Sequence, residues 1–246
     1  MRSGEPCIGA QIALTDPIVA EIFGHAGFDW LVLDTEHTAN NEFIVRSMLQ
    51  AVLHTPAVAL ARPLRLDPDL IRRFMDLGSP GVMCPFINTG TEAEALVRAC
   101  RYPPAGIRGY GPRRAANCGF DVDEYMATAN ESIICIPIIE SLEAVKNIED
   151  IVAVDGIDGV NVGPMDLSLT MGMFKRFEDS AYLDVVEQVR VACRKHGKAM
   201  GTGCYSLDHA IACRNRGDQL LLVAGDDGFL ASESRRCLQV VRAVRA

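Results

Sequence analysis

The chain has 246 residues, of which 49% are hydrophobic and 23% are charged. This is the composition of an ordinary globular protein, and it excludes a collagenous, low-complexity or disordered chain. Because 24 Lys and Arg stand against 32 Asp and Glu, the formal net charge is -8 and a basic surface for nucleic acid or an anionic membrane is not expected. An anionic substrate would need a local positive group, either an Arg or a metal ion.

The expected compartment and partners follow from what the sequence lacks. No run reaches the roughly 18 apolar residues of a membrane-spanning helix, and the opening residues, 1–5, carry no apolar signal segment. The nine cysteines stand singly without a C-x-x-C pair, which is typical of small buried hydrophobes in a reducing compartment. We therefore expect a cytoplasmic protein that acts on small molecules and binds neither nucleic acid nor a membrane.

Eight short apolar runs predict β-strands in chain order. Their near-continuous apolar character is typical of strands covered on both faces, as in parallel sheets. The predicted strands are Ile8–Leu14, Trp30–Asp34, Ala57–Ala61, Gly81–Pro85, Ile133–Glu140, Gly159–Gly163, Ala199–Gly203 and Gln219–Ala224.

The segments between these runs carry helix signals. Asp16 and Asp67 each precede a proline, which places a capping acid before Pro at the first helical position. Thr91-Glu92-Ala93-Glu94 is interpreted as a capping box. Five apolar residues spaced along one helix face predict a buried stripe: Val45, Met48, Leu49, Val52 and Leu53.

The alternation of strands and helices predicts the fold class. Eight strand–helix units average about 31 residues each, which is the size of a (β/α)₈ barrel. We predict an α/β fold, a single (β/α)₈ TIM barrel over residues 1–246, with a doubly wound sheet as the alternative. The Gly- and Pro-rich stretch Tyr102–Phe120 fits neither a strand nor a helix, and a loop of that length is usually functional.

Two carboxylates follow neighbouring predicted strands, at the carboxyl ends where a barrel carries its active site. Glu140 and Asp166 could together bind Mg²⁺, a hard cation that takes one or two carboxylates together with water and substrate oxygens. Each residue also has a plainer interpretation. Glu140 could end its strand in a salt bridge, and Asp166 could cap a short helix.

His37 and Arg62 follow two further strands. Asp34 and Glu36 precede His37, and a carboxylate beside an imidazole raises its basicity, as in a general base. Arg62 suits bidentate binding of a substrate carboxylate. A cation, a base and such an arginine together favour the enolisation of a 2-oxo acid. No Lys ends a strand, so a Schiff-base aldolase is not expected.

Several motifs, in order along nearly the whole chain, resemble the HpcH/HpaI family of class II aldolases. The most specific are R-Y-P-P-x-G-x-R-G at residues 101–109 and G-P-x-D-L-S at residues 163–168. Three shorter elements accompany them: Asp34-Thr35-Glu36-His37, Ala61-Arg62-Pro63 and Ile139-Glu140-Ser141.

The resemblance implies a metal-dependent aldehyde-lyase on a (β/α)₈ barrel. Such an enzyme reversibly cleaves a 4-hydroxy-2-oxo acid to pyruvate and an aldehyde through a metal-bound pyruvate enolate. By resemblance, Glu140 and Asp166 would bind the divalent metal, which is Mg²⁺, Mn²⁺ or Co²⁺. Arg62 would bind pyruvate, and His37 would be the base with Asp34 as its neighbour. Three residues of the G-P-x-D-L-S element complete the expected substrate site: Gly163, Pro164 and Met165.

The resemblance also implies an assembly. Asp76 matches an acid that family members lend to the site of a neighbouring subunit. Family members form homo-hexamers, built as trimers of dimers, in which the last helix is exchanged within a dimer. Residues 232–246 alternate Leu and Val with Arg, which fits such a helix but also an ordinary closing helix with cations at its C-terminal end.

Two departures from the family pattern keep alternatives open. Ile138 stands where family aldolases usually carry Gln, so a polar contact in the pyruvate pocket is missing. Gly111-Pro112 is similar to the corresponding loop of macrophomate synthase, which makes the same enolate by decarboxylating oxaloacetate. The alternatives to an aldolase are therefore an oxaloacetate decarboxylase or macrophomate-synthase-like enzyme, and a barrel without catalytic activity.

Overall fold

The computed structural model describes residues 5–243, which form a closed barrel of eight parallel strands in chain order. The strands are Cys7–Ile12 (β1), Trp30–Asp34 (β2), Val58–Arg62 (β3), Gly81–Cys84 (β4), Ile134–Ile139 (β5), Gly159–Val162 (β6), Ala199–Gly203 (β7) and Leu220–Gly225 (β8). Because β8 pairs back onto β1, the predicted barrel is confirmed and the doubly wound sheet is excluded. Residues 1–4 of the opening stretch and 244–246 of the last predicted helix lie outside the described residues.

Helices surround the barrel and return the chain from the end of one strand to the start of the next. They are Pro17–His25 (α1), Glu42–Ala51 (α2), Pro68–Asp76 (α3), Gly90–Cys100 (α4), Val122–Ser132 (α5), Leu142–Lys146 (α6), Ile148–Ala153 (α7), Pro164–Thr170 (α8), Ser180–Lys195 (α9), Leu207–Asn215 (α10) and Asp226–Ala243 (α11). The predicted caps at Asp16 and Asp67 are present, since the Asp16 side chain accepts from the Ile18 amide and the Asp67 side chain from the Asp69 and Leu70 amides. Within residues 5–243, no helix combines the length and the apolar character needed to cross a membrane.

The strands are apolar on both faces because each separates two buried layers. Alternate residues point to opposite faces, so one set fills the barrel and the other packs under the helices. Along β2, Leu31 and Leu33 belong to the outer layer, whereas Trp30 and Val32 belong to the cluster inside the barrel. The same alternation turns Asp34 at the end of β2 towards the inside.

The first strand shows how long-range contacts set an element boundary. β1 is predicted to run to Leu14 but ends at Ile12, so its predicted end is wrong. The Ala13 and Leu14 amides instead donate to the carboxylate of Asp226, each over 2.9 Å. Asp226 is buried at the start of α11, and these bonds tie that helix to the end of β1.

Two further local predictions are corrected. The capping box consists of Thr89 and Glu92 before α4, two residues earlier than predicted, because the Thr89 hydroxyl accepts from the Glu92 amide while the Glu92 carboxylate accepts from the Thr89 amide. Leu53 is not part of the buried stripe of α2. The helix gives way to a 3₁₀ turn at Val52–His54, and this change of pitch leaves Leu53 64% exposed.

The long stretch Tyr102–Phe120 connects α4 to α5 at the amino-terminal end of the barrel. Arg108 anchors it as a buried residue whose guanidinium lies 4.4 Å from the Tyr102 ring centre and donates to Asp76 at the end of α3. A short 3₁₀ turn, Asn117–Gly119, lies in its second half. The stretch contributes no residue to the cavity described below.

Candidate active site

A cavity of about 550 Å³ opens at the carboxyl ends of the strands, where a (β/α)₈ barrel places its chemistry. Residues from every strand except β2 lie along its walls, together with residues that follow β2, β5, β6, β7 and β8. Seven residues of the predicted site line it: His37, Arg62, Glu140, Gly163, Pro164, Met165 and Asp166.

Glu140 directly follows β5 and is 2% exposed. Its Oε1 accepts a hydrogen bond of 2.8 Å from the Phe86 amide. Burial raises the pKa of the Glu140 carboxyl to about 7, although that hydrogen bond favours the charged form. The strand-end salt bridge is not found, because no Lys or Arg within residues 5–243 lies within ion-pair distance of Glu140.

Asp166 reaches the cavity from the first turn of α8, which begins at Pro164. The N-cap of this helix is Gly163, so the alternative of Asp166 as an N-cap is wrong. Gly163 also has to be small. A Cβ at this position would lie 2.8 Å from Glu140 Oε2 and 3.0 Å from Glu140 Cβ. The sequence Gly163-Pro164 therefore lets the helix start against the Glu140 carboxylate.

These two carboxylates fit a hard divalent cation. Among the described residues, none donates a hydrogen bond to Glu140 Oε2 or to either carboxylate oxygen of Asp166. Unpaired oxygens next to the space that the missing Cβ of Gly163 leaves are the donors that Mg²⁺ or Mn²⁺ prefers. Burial is the main cause of the raised pKa of Glu140, and the nearby charge of Asp166 raises it further by a smaller amount. A bound cation would therefore relieve the repulsion between the two carboxylates.

Arg62 ends β3 and is held by two acids from the β2 end. One guanidinium nitrogen, Nη2, forms an ion pair with Glu36 Oε2, while Nε lies 4.0 Å from Asp34 Oδ1. Asp34 is completely buried and accepts from the Gln11 side chain over 2.7 Å and from the Glu36 amide over 2.9 Å. Asp34 does not line the cavity. It lies behind Arg62 and contacts the side chains of Gln11 and Arg62.

His37 lies at the rim, with 61% of its side chain exposed. The carboxylate beside it belongs to Glu36, whose Oε2 is 3.6 Å from His37 Nε2. The expected Asp34–His37 pair is not formed in the single chain, because both Asp34 oxygens are taken by Gln11 and the Glu36 amide. Glu36 thus contacts both Arg62 and His37, a role that the sequence reasoning missed. The available signal was its position directly before His37 in the sequence.

Asp76 lies far from this cavity in its own chain. It is the last residue of α3, just before β4 begins, and so it belongs to the amino-terminal end of the barrel. There its Oδ1 accepts 2.7 Å from Arg108 Nη2. The structure therefore brings together all the predicted site residues except Asp76.

Ile138, which the resemblance places in the substrate pocket, lines the cavity as a buried apolar residue. The rest of the cavity wall was not predicted from the sequence. Part of it comes from the segment after β7, the start of α10 and α11, which supply Cys204, Tyr205, Ser206, Leu207 and Phe229. These five residues are uncharged and so give no strand-end signal.

Comparison with known proteins identifies close relatives. The HpcH/HpaI aldolase/citrate lyase family matches residues 8–233. A hydroxypyruvate/pyruvate aldolase of Pseudomonas aeruginosa is 39% identical over 219 residues, 87% of this chain and 80% of the relative. A 4-hydroxy-2-oxo-heptane-1,7-dioate aldolase of Shigella sonnei is 39% identical over 202 residues, 82% of this chain and 77% of the relative.

The solved structures agree with the sequence relatives. A HpcH/HpaI aldolase/citrate lyase family protein from Burkholderia cenocepacia superposes with a TM-score of 0.93 at 33% identity. The match covers 97% of this chain and 95% of that one. The barrel fold is therefore shared over almost the full length of both chains.

Proposed function

Because this chain belongs to the HpcH/HpaI aldolase/citrate lyase family and is an aldolase, we propose that it reversibly cleaves a 4-hydroxy-2-oxo acid to pyruvate and an aldehyde. The observation that carries this proposal is the convergence of Glu140, Asp166 and Arg62 on one cavity. Two unpaired carboxylates and a guanidinium suit a substrate whose carboxylate and keto oxygens are both electron-rich. The names of the two aldolase relatives are consistent with such substrates.

Glu140 and Asp166 would hold a divalent cation, Mg²⁺, Mn²⁺ or Co²⁺. When bound, the cation would act as a Lewis acid that polarises the keto group of the 2-oxo acid and so acidifies the neighbouring carbon. The open oxygens of both carboxylates and the small Gly163 support this assignment.

Arg62 would bind the substrate and stabilise the negative charge that develops on its oxygen during carbon–carbon cleavage. In the substrate-free chain its guanidinium is paired with Glu36 and lies near Asp34, so it is already oriented at the cavity wall. A preoriented donor of this kind typically contributes about 10²–10³ in rate. Asp34 would act by positioning, since it is buried behind Arg62 and does not reach the cavity.

His37 would move the proton. Its exposed ring at the rim can reach both the cavity and solvent, and its Nε2 lies 3.6 Å from Glu36 Oε2. In the cleavage direction the base removes the proton of the 4-hydroxyl group. In the synthetic direction it returns that proton to the aldehyde oxygen. Such proton transfer typically contributes about 10²–10⁴ in rate.

We also propose a homo-oligomer in which Asp76 completes the site of a neighbouring subunit and α11 is exchanged within a dimer. A hexamer built as a trimer of dimers would satisfy both. The position of Asp76 at the opposite end of its own barrel supports the first part. The exposed apolar residues of α11 support the second: Leu230, Leu238, Val240 and Val241.

The test is product formation from pyruvate and a panel of aldehydes with Mg²⁺, Mn²⁺ or Co²⁺, read by mass, together with deuterium exchange into the pyruvate methyl group. We expect adducts and exchange that EDTA abolishes. His37→Ala should lose the exchange yet still bind pyruvate, whereas Arg62→Lys should lose both, because an ammonium lacks the bidentate fork. His25→Ala, on α1 and away from the cavity, is the control.

The same assay separates the alternatives. Faster pyruvate release from oxaloacetate than from any 4-hydroxy-2-oxo acid would assign the chain to the decarboxylase or synthase group. Absence of both adducts and methyl exchange would favour a barrel without activity, which the apolar Ile138 wall could explain.

A further inference from the structure

A second group of metal-ligating side chains lies on α10 and the loop before it. The ligand atoms of Cys204, His209 and Cys213 all lie within 4.8 Å of one another. None of these residues belongs to the carboxylate site at Glu140 and Asp166. Sequence spacing hides the group, because no two of its members form a C-x-x-C pair.

The fold of this segment brings the three side chains together. His209 and Cys213 are four residues apart on α10 and so share one face of the helix. His209 Nε2 lies 3.2 Å from Cys213 Sγ. Cys204 follows the end of β7, and its thiol donates to the Thr202 carbonyl over 3.7 Å. The candidate site thus spans a loop and a helix.

The His209 ring is held in place by stacking. Tyr205 lies between Phe177 and His209, with ring centres 4.4 Å and 3.9 Å away. The Nδ1 atom of His209 is buried and makes no hydrogen bond within residues 5–243. The imidazole therefore has Cys213 as its polar partner and loses little freedom when it binds a ligand through that side.

The group offers two cysteine sulfurs and an imidazole nitrogen close together. Cysteine binds metals as the thiolate, so a bound cation would displace the thiol protons of Cys204 and Cys213.

We propose that Cys204, His209 and Cys213 bind a borderline-soft divalent cation, Zn²⁺, at a site distinct from the carboxylate site. Thiolate and imidazole ligands prefer Zn²⁺, whereas Mg²⁺ and Mn²⁺ prefer oxygen. Three protein ligands leave one position of a tetrahedral ion for water. Because Cys204 and Tyr205 also line the cavity, the bound ion would tie one cavity wall to α10.

The experiment uses the reduced Glu140→Gln/Asp166→Asn protein, so that the carboxylates cannot bind the added metal. Titration with Co²⁺ alone should give a thiolate-to-cobalt charge-transfer band that saturates at one equivalent and disappears when Zn²⁺ is added. Loss of a group that only hydrogen-bonds to a metal ligand weakens a metal site by about 10–100-fold. Cys204→Ser and Cys213→Ser each remove a ligand itself, so each should weaken zinc binding by about 100-fold or more. Competition with a chromophoric chelator measures that affinity.

The two exposed cysteines outside the group, Cys118 and Cys237, provide matched controls. Cys118→Ser and Cys237→Ser should leave both the band and the zinc affinity unchanged. Because Cys213 is buried, His209→Gln is the second variant, and circular dichroism checks the fold of each. The proposal is overturned if the reduced protein gives no charge-transfer band, or if the band survives in both Cys204→Ser and His209→Gln. A Cys204–Cys213 disulfide that forms in the presence of Zn²⁺ would also overturn it.

Discussion

Glu140 is a proposed metal ligand whose burial as a carboxylate lowers the free energy of unfolding of the metal-free protein. A carboxyl with an ordinary pKa of 4.5 is buried at the end of β5, where its pKa rises to about 7. A group whose pKa is raised by folding favours the native state at low pH. That contribution is lost as the pH rises through the folded pKa, because the native state must then bury a charge. In the metal-free protein the loss extends from about pH 4.5 to above pH 7.

Glu140→Gln should therefore stabilise the metal-free protein in alkaline but not in acidic solution. The amide cannot ionise, and its oxygen can still accept from the Phe86 amide. At 1.36 kcal/mol per pKa unit, the gain in free energy of unfolding should approach about 3 kcal/mol at pH 8 and vanish near pH 4. Urea unfolding in EDTA measures it.

Glu94→Gln is the control for that experiment, since Glu94 is exposed on α4 and should change stability by less than about 0.5 kcal/mol at either pH. Equal stabilities of the parent and Glu140→Gln at pH 4 and pH 8 would show that Glu140 is not buried as a charge at neutral pH.

Gly163→Ala should damage the cation site through steric contact alone. The added Cβ would lie 2.8 Å from Glu140 Oε2 and must displace that carboxylate. We expect Mn²⁺ affinity, measured by isothermal titration, to fall by about tenfold or more, comparable to the loss of a group that hydrogen-bonds to a metal ligand. Gly228→Ala is the matched control. It also lines the cavity, but its added Cβ meets nothing within 4 Å. Equal Mn²⁺ affinity in the two variants would argue against cation binding at Glu140.

The sequence predicted which charged residues meet at one end of the barrel, for a physical reason. Carboxyl ends of parallel strands meet at one rim, so Arg62, Glu140 and Asp166 had to converge once the barrel was recognised. Which acid contacts which base was not predictable. The choice between Asp34 and Glu36 as the neighbour of His37 depends on Gln11, which comes from another strand and occupies Asp34. Such partner choices are set by packing and not by local pattern.

At the scale of elements, a buried ion pair joins α9 to the turn before β8. Arg190 is 6% exposed, and its guanidinium donates to both oxygens of Asp218 over 2.7 and 3.0 Å. Asp218 is itself 1% exposed. Since removal of one partner leaves the other charge buried, each residue depends on the other.

Arg190→Ala should lower the free energy of unfolding by roughly 3–5 kcal/mol, because Asp218 would remain as an unpaired buried carboxylate. Arg176→Ala should cost less than about 1 kcal/mol, since the Arg176–Asp179 pair is exposed and lies within one turn. Both values come from denaturant unfolding followed by fluorescence and circular dichroism. Similar losses in the two variants would mean that the Arg190–Asp218 pair is solvated.

Element boundaries were predictable where the signal is local and unpredictable where it is distant. Asp16 and Asp67 cap helices through amides two or three residues ahead, so their sequence neighbourhood suffices. The end of β1 depends on Asp226, more than 200 positions along the chain. A contact distant in sequence also determines the residue at Gly9, because the Trp30 indole occupies the space that a side chain at Gly9 would need. A Cβ there would lie 2.2 Å from the ring.

At the scale of the whole molecule, α11 packs against the single chain only at its first residues and leaves the rest of its surface exposed. Its first residue is buried, but every described residue from 227 to 243 is exposed or lies at the surface. The apolar side chains along it, such as Leu238 and Val241, have no cover within the described residues. Exposed apolar surface of this kind marks an interface more often than a solvated face. This is the physical basis for the proposed exchange of α11 in a dimer.

Asp76 gives the proposed assembly its sharpest test, because a residue that acts in a neighbouring subunit can be supplied by a different variant. Asp76→Ala and Glu140→Gln homo-oligomers should each be inactive. Co-expressed with different tags and purified as mixed assemblies, they should recover activity in about one quarter of the sites under random pairing, since half of the dimers are mixed and each holds one complete site. Tyr125→Phe removes a hydrogen bond of Arg108 without touching Asp76, so it should stay active if Asp76 acts on substrate and not through its loop. Full activity of Asp76→Ala alone, or no recovery in mixed assemblies, would show that Asp76 does not complete the site of a neighbouring subunit.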